Sequence, residues 1–327
     1  TLTAADPTVA WYTEPDPTVR TLTDPTLLDA LRSWRAGLNL ATDTGAPVSP
    51  AVRKALASHS AVEVEVVEAV PDKALPRLLQ RDFDIVFNLA EGFVGDAREA
   101  QFPAIMEMLG IPYTGSGPLT LAMSLDKART KEVLSYHGIP VARFITSSEP
   151  ISSIRAVMPG SDFPFIVKPI SEGSSKGIRN SSFVRTIDEM NREIERIVTT
   201  YDQPAIIEEF LPGREFTVAV LGTGEHATVL PLVEINFGEL PAEANQIYSY
   251  EAKWIYDVAE HPLQIFTCPA DTSDKLRAEI ETIVLRTYEV LDCRDWSRID
   301  VRLDARGRAR SEEHTSELQS RGLISYA

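Results

Sequence analysis

Hydrophobic and polar positions divide the chain into a first part where helices and strands alternate and a second part rich in paired strands. Residues up to about Tyr12 read as an irregular arm, and short helices fit Thr21–Ala36 and Pro50–Ser58. Val62, Val64 and Val66 alternate with Glu63 and Glu65, the period of a strand with one face inward. The run Asp84–Leu89 is apolar throughout and predicts a buried parallel strand. A helix over Glu99–Leu109 stops at Gly110. This alternation favours a small open α/β domain.

Asp126 is placed to cap a helix from Lys127 to Tyr136, which Gly138 and Pro140 close. A strand at Phe163–Lys168 precedes Pro169 and a Gly/Ser-rich turn. Ile178–Val184 reads as another strand, and Thr186 or Asp188 caps a helix through Val198. Strands Ala205–Phe210 and Glu215–Gly222 flank the turn Leu211-Pro212-Gly213. Residues 231–262 are loop-rich and aromatic. The helix Ser273–Leu291 carries Leu276, Ile280, Ile283, Val284 and Leu291 at helical spacing. The strand Trp296–Leu303 then enters the turn Asp304–Gly307, which announces a hairpin. Its partner should be apolar and alternating, but the residues from Arg308 on are polar, so no partner strand is expected.

Composition narrows the chemistry. The 327 residues are 43% hydrophobic and 24% charged, enough for two or three modules with their own cores. With 32 basic and 48 acidic side chains the net charge is −16, which disfavours nucleic acid but not a nucleotide, whose site needs only a few local cations. No apolar run reaches membrane-spanning length. Residues 1–10 lack the pattern of a signal peptide, and a chain opening on Thr suggests a native start further upstream. Cys268 and Cys293 are far apart with no ligand spacing around them, so they read as reduced core thiols of a cytoplasmic protein.

Gly173–Gly177 (GSSKG) fits a phosphate-cradling loop, an ordinary turn, or the G-x-S-x-G elbow of a serine hydrolase. The last needs a helix directly after Ser175, and none is expected before Asp188. Neither a P-loop nor a dinucleotide fingerprint is present. Lys168 ends an apolar strand, where an ammonium without a partner would be costly, so it is the lysine most in need of an anion.

Seven segments in order carry a resemblance: Leu109–Gly117, Ser124–Lys127, Phe165–Pro169, Glu172–Gly177, Ile207–Val218, Tyr248–Trp254 and Arg298–Asp304. Together they resemble the ATP-grasp ligases, and among them the D-alanine–D-alanine ligases. The resemblance implies an N-terminal open α/β domain followed by two α+β subdomains sandwiching ATP. The expected divisions are 1–122, 123–220, 221–310 and a foreign tail at 311–327. It implies an ADP-forming ligase that joins a carboxylate to an amine through an acyl phosphate.

By that resemblance, Lys127, Lys168 and Lys253 contact phosphates, and Ser174 and Ser175 belong to the closing loop. Glu208 accepts from the adenine amino group, backbone groups near Glu209, Phe210 and Leu211 read the base edge, and Glu215 holds the ribose. Asp300 binds the first of two magnesium ions, and Arg298 stabilises the oxyanion. Each has a plainer reading: solvated lysines and glutamates, or an Arg–Asp pair on a strand face. The implied partners are small amino-acid substrates, D-alanine first, with no nucleic acid or membrane and with a homodimer left open. A different carboxylate and amine, or a nucleotide-binding module without ligation, remain alternatives.

The departures fall on the substrate side. Val9–Glu14 and Ala90–Ala100 stand where the family has a Gly-rich start with a Glu and an H-G-x-x-G-E-D-G loop, and Trp254 stands where Tyr is usual. The family also continues beyond the last turn with an apolar strand and E-x-N-x-x-P-G. Here the eleven residues Arg310–Ser320 read RSEEHTSELQS, the translation of a short-read sequencing adapter. That implies a chain that lost its second set of metal ligands and ligates poorly.

Overall fold

The computed structural model describes residues 65, 67, 69–92, 94–173, 175–241, 244–249, 252 and 265–315. The helices expected at Thr21–Ala36 and Pro50–Ser58, the alternation at Val62, Val64 and Val66, the substitutes at Val9–Glu14, and Ser174, Lys253 and Trp254 lie outside the described residues.

Among the described residues four α-helices come first: α1 (Pro71–Gln80), α2 (Gln101–Leu109), α3 (Pro118–Leu125) and α4 (Lys127–Tyr136). Asp126 caps α4 as its position predicts, its carboxylate accepting from the Ala128 and Arg129 amides at 3.0 and 2.9 Å. The Gly110 amide closes α2 in the left-handed conformation that glycine adopts at little cost. The predicted strand Asp84–Leu89 is reduced to one parallel bridge, Val86 to Tyr113, and Ile85 is exposed. An apolar run makes a buried strand only where neighbours cover both faces. What the run does supply is Val86, which packs with Met106, Phe102 and Ile111 in a small core under α1 and α2.

Two antiparallel sheets follow among the described residues. In the first, β1 (Phe144–Ser147), β2 (Phe165–Pro169), β3 (Phe183–Val184) and β4 (Ala205–Glu209) lie in the order β1-β4-β2-β3. A short helix α5 (Ile154–Val157) and the long α6 (Ile187–Tyr201) close its core, where Phe165, Val167, Met190, Ile194 and Ile197 are buried. Thr186 caps α6. The stretch read as the strand Ile178–Val184 is instead a 3-10 turn at Asn180–Ser182 before the two-residue β3.

In the second sheet, β5 (Glu215–Leu221), β6 (Thr228–Val229), β7 (Val233–Ile235), β8 (Phe266–Thr267), β9 (Trp296–Leu303) and β10 (Ala309–Thr315) take the order β10-β9-β5-β7-β8, with β6 on β5. Helix α7 (Asp274–Val290) covers one face. Alternation divides each central strand. Phe216, Val218, Val220, Ile299, Val301 and Leu303 enter the core with Ile280 and Val284 of α7, leaving Glu215, Arg298, Asp300 and Arg302 on the other face.

Three expectations need correction. The sheets divide at the turn after β4, so residues 215–220 belong to the second sheet and a boundary at 220 cuts through β5. Leu134 and Ile139, placed with the first subdomain, pack in the core of the second sheet. The hairpin partner does form. β10 pairs Ala309, Arg310 and Ser311 with Leu303, Arg302 and Val301, then shifts register before His314 pairs Ile299. Ladder bonds are made by backbone groups, so a polar edge strand can join wherever its inward side chains are small. Ala309 and Ser311 are both buried here. Cys293 is a buried thiol as expected, whereas Cys268 is exposed.

The turn between the sheets is pinned at Gly213, whose amide donates to the Leu303 carbonyl at 2.9 Å. A Cβ there would lie 2.6 Å from both the Leu303 carbonyl oxygen and its Cβ. Gly213→Ala is expected to destabilise the protein by about 1–3 kcal/mol through this overpacking. A urea midpoint equal to wild type would refute the close approach.

Candidate functional site

Because α7 takes the apolar face of the second sheet, its charged face turns toward the first. A cleft between them is lined from one side by Ile166, Lys168 and Glu208, and from the other by Glu215, Arg298, Asp300 and Arg302. Ser175, Glu209, Phe210 and Leu211 also line it. Residues from separate parts of the sequence thus meet in one cleft.

Its charges are paired. The Lys168 ammonium lies 3.1 Å from Glu208 Oε2, and Lys131, 1% exposed, lies 3.4 Å from Oε1 of the same carboxylate. Glu312 of β10 adds a second carboxylate, 3.5 Å from Lys168 and 4.0 Å from Lys131. On the second sheet Arg302 bonds Glu215 at 2.7 Å and the Gln246 carbonyl at 2.7 Å, with its guanidinium 4.7 Å from the centre of the Phe210 ring. Arg298 donates to Asp300 at 3.0 Å, while its Nε, though buried, has no hydrogen-bond partner among the described residues. Burial raises the Glu215 carboxyl to about 7, against the opposing pull of Arg302 and with help from Asp300 and Glu312. The Glu312 carboxyl is raised by burial as well.

Several predicted positions behave differently. Lys127 does not line the cleft; its ammonium bonds the Glu172 carbonyl at the base of the Gly/Ser-rich loop. That loop is gripped from several sides. Arg98 reaches the Ser171 carbonyl at 2.9 Å and the Glu172 carboxylate at 3.3 Å, and Lys176 and Gln203 hold the same carboxylate. Ser175 has φ near 60° and donates to the Tyr248 carbonyl at 2.9 Å. No α-helix follows it before Ile187, so the hydrolase elbow lacks its helix. At the turn after β4, the Glu209 and Phe210 amides are already committed to the carbonyls of Arg143 and Pro164, so neither is available to a base edge. The Glu209 carboxylate bonds Ser161 and Arg143.

Sequence reading missed Lys131 and Arg302. Arg302 continues the alternation Arg298, Asp300 by one step, so its face was legible. Lys131 lies one helical turn beyond Lys127 and three residues before the core residue Leu134, a spacing that points inward.

A divalent ion can be tested against the donor set. No cluster of three or more His, Cys, Asp or Glu able to hold a metal occurs among the described residues. Magnesium in nucleotide sites needs only one or two carboxylates, its remaining ligands being phosphate oxygens and water. Asp300, on the cleft face, is a carboxylate of that kind and fits the ion in this limited sense. No helix among the described residues is long and apolar enough to cross a membrane.

The family model described as D-ala D-ala ligase C-terminus matches residues 133–315. An uncharacterized protein, y4sG, of Sinorhizobium fredii is 37% identical over 232 residues, covering 71% of this chain and 65% of that protein. The D-alanine–D-alanine ligase of Bordetella petrii is 35% identical over 237 residues, 72% of this chain and 67% of the ligase. The chain thus spans about two thirds of the length of these relatives. The crystal structure of the Bacillus anthracis D-alanine–D-alanine ligase superposes with a TM-score of 0.59 at 25% identity, covering 76% of this chain and 74% of that one. The same ligase complexed with ATP superposes at 0.55 and 21% identity, covering 74% and 72%, a likeness of fold.

The raised Glu215 carboxyl makes stability depend on pH. Folded, it keeps its proton to about pH 7; unfolded, it loses it near 4.5. Between those values the folded state holds the extra proton, so this contribution is complete at the acid end and is lost as pH rises through 7. Glu99, also buried and raised to about 7, acts in the same direction. The urea midpoint is expected to fall from pH 5 to pH 8, and Glu215→Gln to flatten that fall in part. An unchanged slope in the variant would count against the assignment.

Proposed function

The chain belongs to the D-alanine–D-alanine ligase family, and from that premise we propose that it is an ATP-dependent, ADP-forming ligase that joins a carboxylate to an amine through an acyl phosphate. The observation that carries the reading is the convergence of Lys168, Glu208, Glu215, Arg298 and Asp300 on one cleft between two antiparallel sheets. One wall offers Lys168 for phosphate with Ile166 and Glu208 for a base, and the other offers Glu215 for a ribose, Asp300 for a metal and Arg298 for an oxyanion.

Each residue has a physical task. Lys168 leaves Glu208 to meet phosphate oxygens, the anion for which a cleft-lining ammonium is suited. Glu208 then accepts from the adenine amino group, while Phe210 and Ile166 cover the base. Glu215 holds the ribose hydroxyls, accepting in its ionised form. Asp300 would hold magnesium, which would supply neutralisation of the phosphate charge. The substrate carboxylate attacks the γ-phosphorus and ADP leaves. The amine then attacks the acyl carbon, and phosphate departs with the electron pair of the C–O bond. Arg298, whose Nε is uncommitted, stabilises the oxyanion of that second step. Lys127 orders the phosphate loop through Glu172 in this state, Ser175 belongs to the same loop, and Ser174 and Lys253 are assigned to it by resemblance alone.

D-alanine is the first substrate to test because the relatives from Bordetella petrii and Bacillus anthracis are D-alanine–D-alanine ligases, and the substrate-side departures at Ala90–Ala100 make other amino acids the second. We also propose that the residues from Ser311 on are foreign, on the strength of their match to a translated adapter. Glu312 is accordingly given no catalytic task. Sequencing the source gene across codon 310 tests this: a frame continuing into an apolar strand and E-x-N is expected, and the same polar tail in an independent clone overturns it.

With the full gene product, ATP, magnesium and D-alanine, phosphate release is expected, and Lys168→Met should reduce it by roughly a hundredfold. Release with another amino acid but not D-alanine overturns the substrate. ATP binding without release on any amino acid overturns the ligase.

A further inference from the structure

Glu215 and Arg302 stand directly opposite each other on β5 and β9, on the face that turns to the cleft. Arg302 donates to Glu215 Oε2 at 2.7 Å, and the two side chains are 9% and 15% exposed. Taking two charges out of water is costly, and an apolar pair of similar volume often holds two strands as well or better. The strands already have such a pair one step along, where Phe216 and Val301 meet in the core. Strand pairing alone therefore leaves the buried ion pair without a reason.

Arg302 is held from several sides. Its other terminal nitrogen donates to the Gln246 carbonyl at 2.7 Å, and its guanidinium lies 4.7 Å from the centre of the Phe210 ring and 5.4 Å from that of Phe237. Phe210 is itself set edge-on against Phe183. A planar fork committed in this way has little freedom left. Glu215 is a flexible side chain by nature, and among the described residues Arg302 is the group that hydrogen-bonds it, at one oxygen. The grip on Oε2 leaves Oε1 to a ligand in the cleft. A carboxylate fixed beforehand binds a hydroxyl without the cost of being ordered at that moment.

We infer that Arg302 is a positioning residue for sugar recognition: it fixes one oxygen of Glu215 so that the other is presented to a ribose hydroxyl in the cleft. This rests on the nucleotide reading of the cleft and on the ribose role proposed for Glu215. It makes preference for a nucleotide with its sugar hydroxyls depend on an arginine acting through its carboxylate partner. Arg302 Nε, buried and without a hydrogen-bond partner among the described residues, is a donor for a direct contact, and the test separates that from action through Glu215.

Binding of ATP and of 2′,3′-dideoxy-ATP to the full chain, measured by calorimetry, tests it, because the two differ at the hydroxyls that Glu215 would hold. Wild type is expected to prefer ATP. Arg302→Met should reduce the ratio of the two affinities roughly tenfold, the worth of about one charge-assisted hydrogen bond. In a Glu215→Ala background the same substitution should leave the ratio unchanged. Urea unfolding establishes that the variants are folded; if Arg302→Met is not, Arg302→Lys carries the comparison, since a compact ammonium lacks the fork. An unchanged ratio in a folded Arg302 variant, or a further fall of the ratio in the Glu215→Ala background, overturns the inference. Equal binding of both nucleotides by wild type overturns the ribose role of Glu215 instead, and binding of neither overturns the nucleotide reading.

Discussion

A buried charge in a low-dielectric cleft costs several kcal/mol unless a counter-ion and hydrogen bonds accompany it. The two sheets satisfy that constraint together. Glu208 on β4 is met by Lys168 of β2 and by Lys131 of α4, a helix whose apolar face belongs to the other sheet's core. The pairing therefore links three elements across the seam. Arg302 does the same within the second sheet, joining Glu215 of β5 to the loop at Gln246 and stacking over Phe210 at the end of the first. The elements approach as they do because their charges need one another as much as because their apolar faces do.

The same constraint explains what was legible in the sequence. Period-2 patterns in β5 and β9 are legible because Phe216, Val218, Val220, Ile299, Val301 and Leu303 alternate with Glu215, Arg298, Asp300 and Arg302, so strand and face follow from one alternation. Asp126 and Thr186 announced their helices for a local reason: each accepts an amide within its own first turn. Lys131 was legible only as a position on the inward face of α4, three residues before Leu134, and not as a partner of Glu208. Its value lies in a carboxylate distant in sequence, and a lysine at helical spacing ordinarily lies on the solvated face. The reduction of the strand expected at Asp84–Leu89 to one bridge has a similar origin, since an apolar run states only that its faces should be covered and not by what.

The turn after β4 carries a different lesson. Sequence resemblance placed backbone groups near Glu209, Phe210 and Leu211 at a base edge, and of these the Glu209 and Phe210 amides serve the carbonyls of Arg143 and Pro164. Backbone groups must be satisfied in the folded chain whether or not a ligand is present, and residue identity does not reveal which partner an amide has taken.

β10 is the strictest case. Its polar composition argued against a strand, and the pairing formed because the ladder is a property of the backbone while the core asks only that Ala309 and Ser311 be small. Backbone complementarity is enough to place a segment, but it is not enough to register it, and the shift between Ser311 and His314 is where that difference shows. An apolar alternating strand would be held to one register by its inward side chains, because a slip of one residue would turn every one of them out of the core. Here the slip exchanges one polar residue for another at little cost. The carboxylate of Glu312 then reaches the cleft by following its counter-ions, Lys131 and Lys168, rather than by any pattern in the strand. Charge pairing and backbone pairing can thus build the outline of a site from residues that carry no motif, which is why function in this cleft is argued from Lys168, Glu208, Arg298 and Asp300 and not from what lies nearest to them.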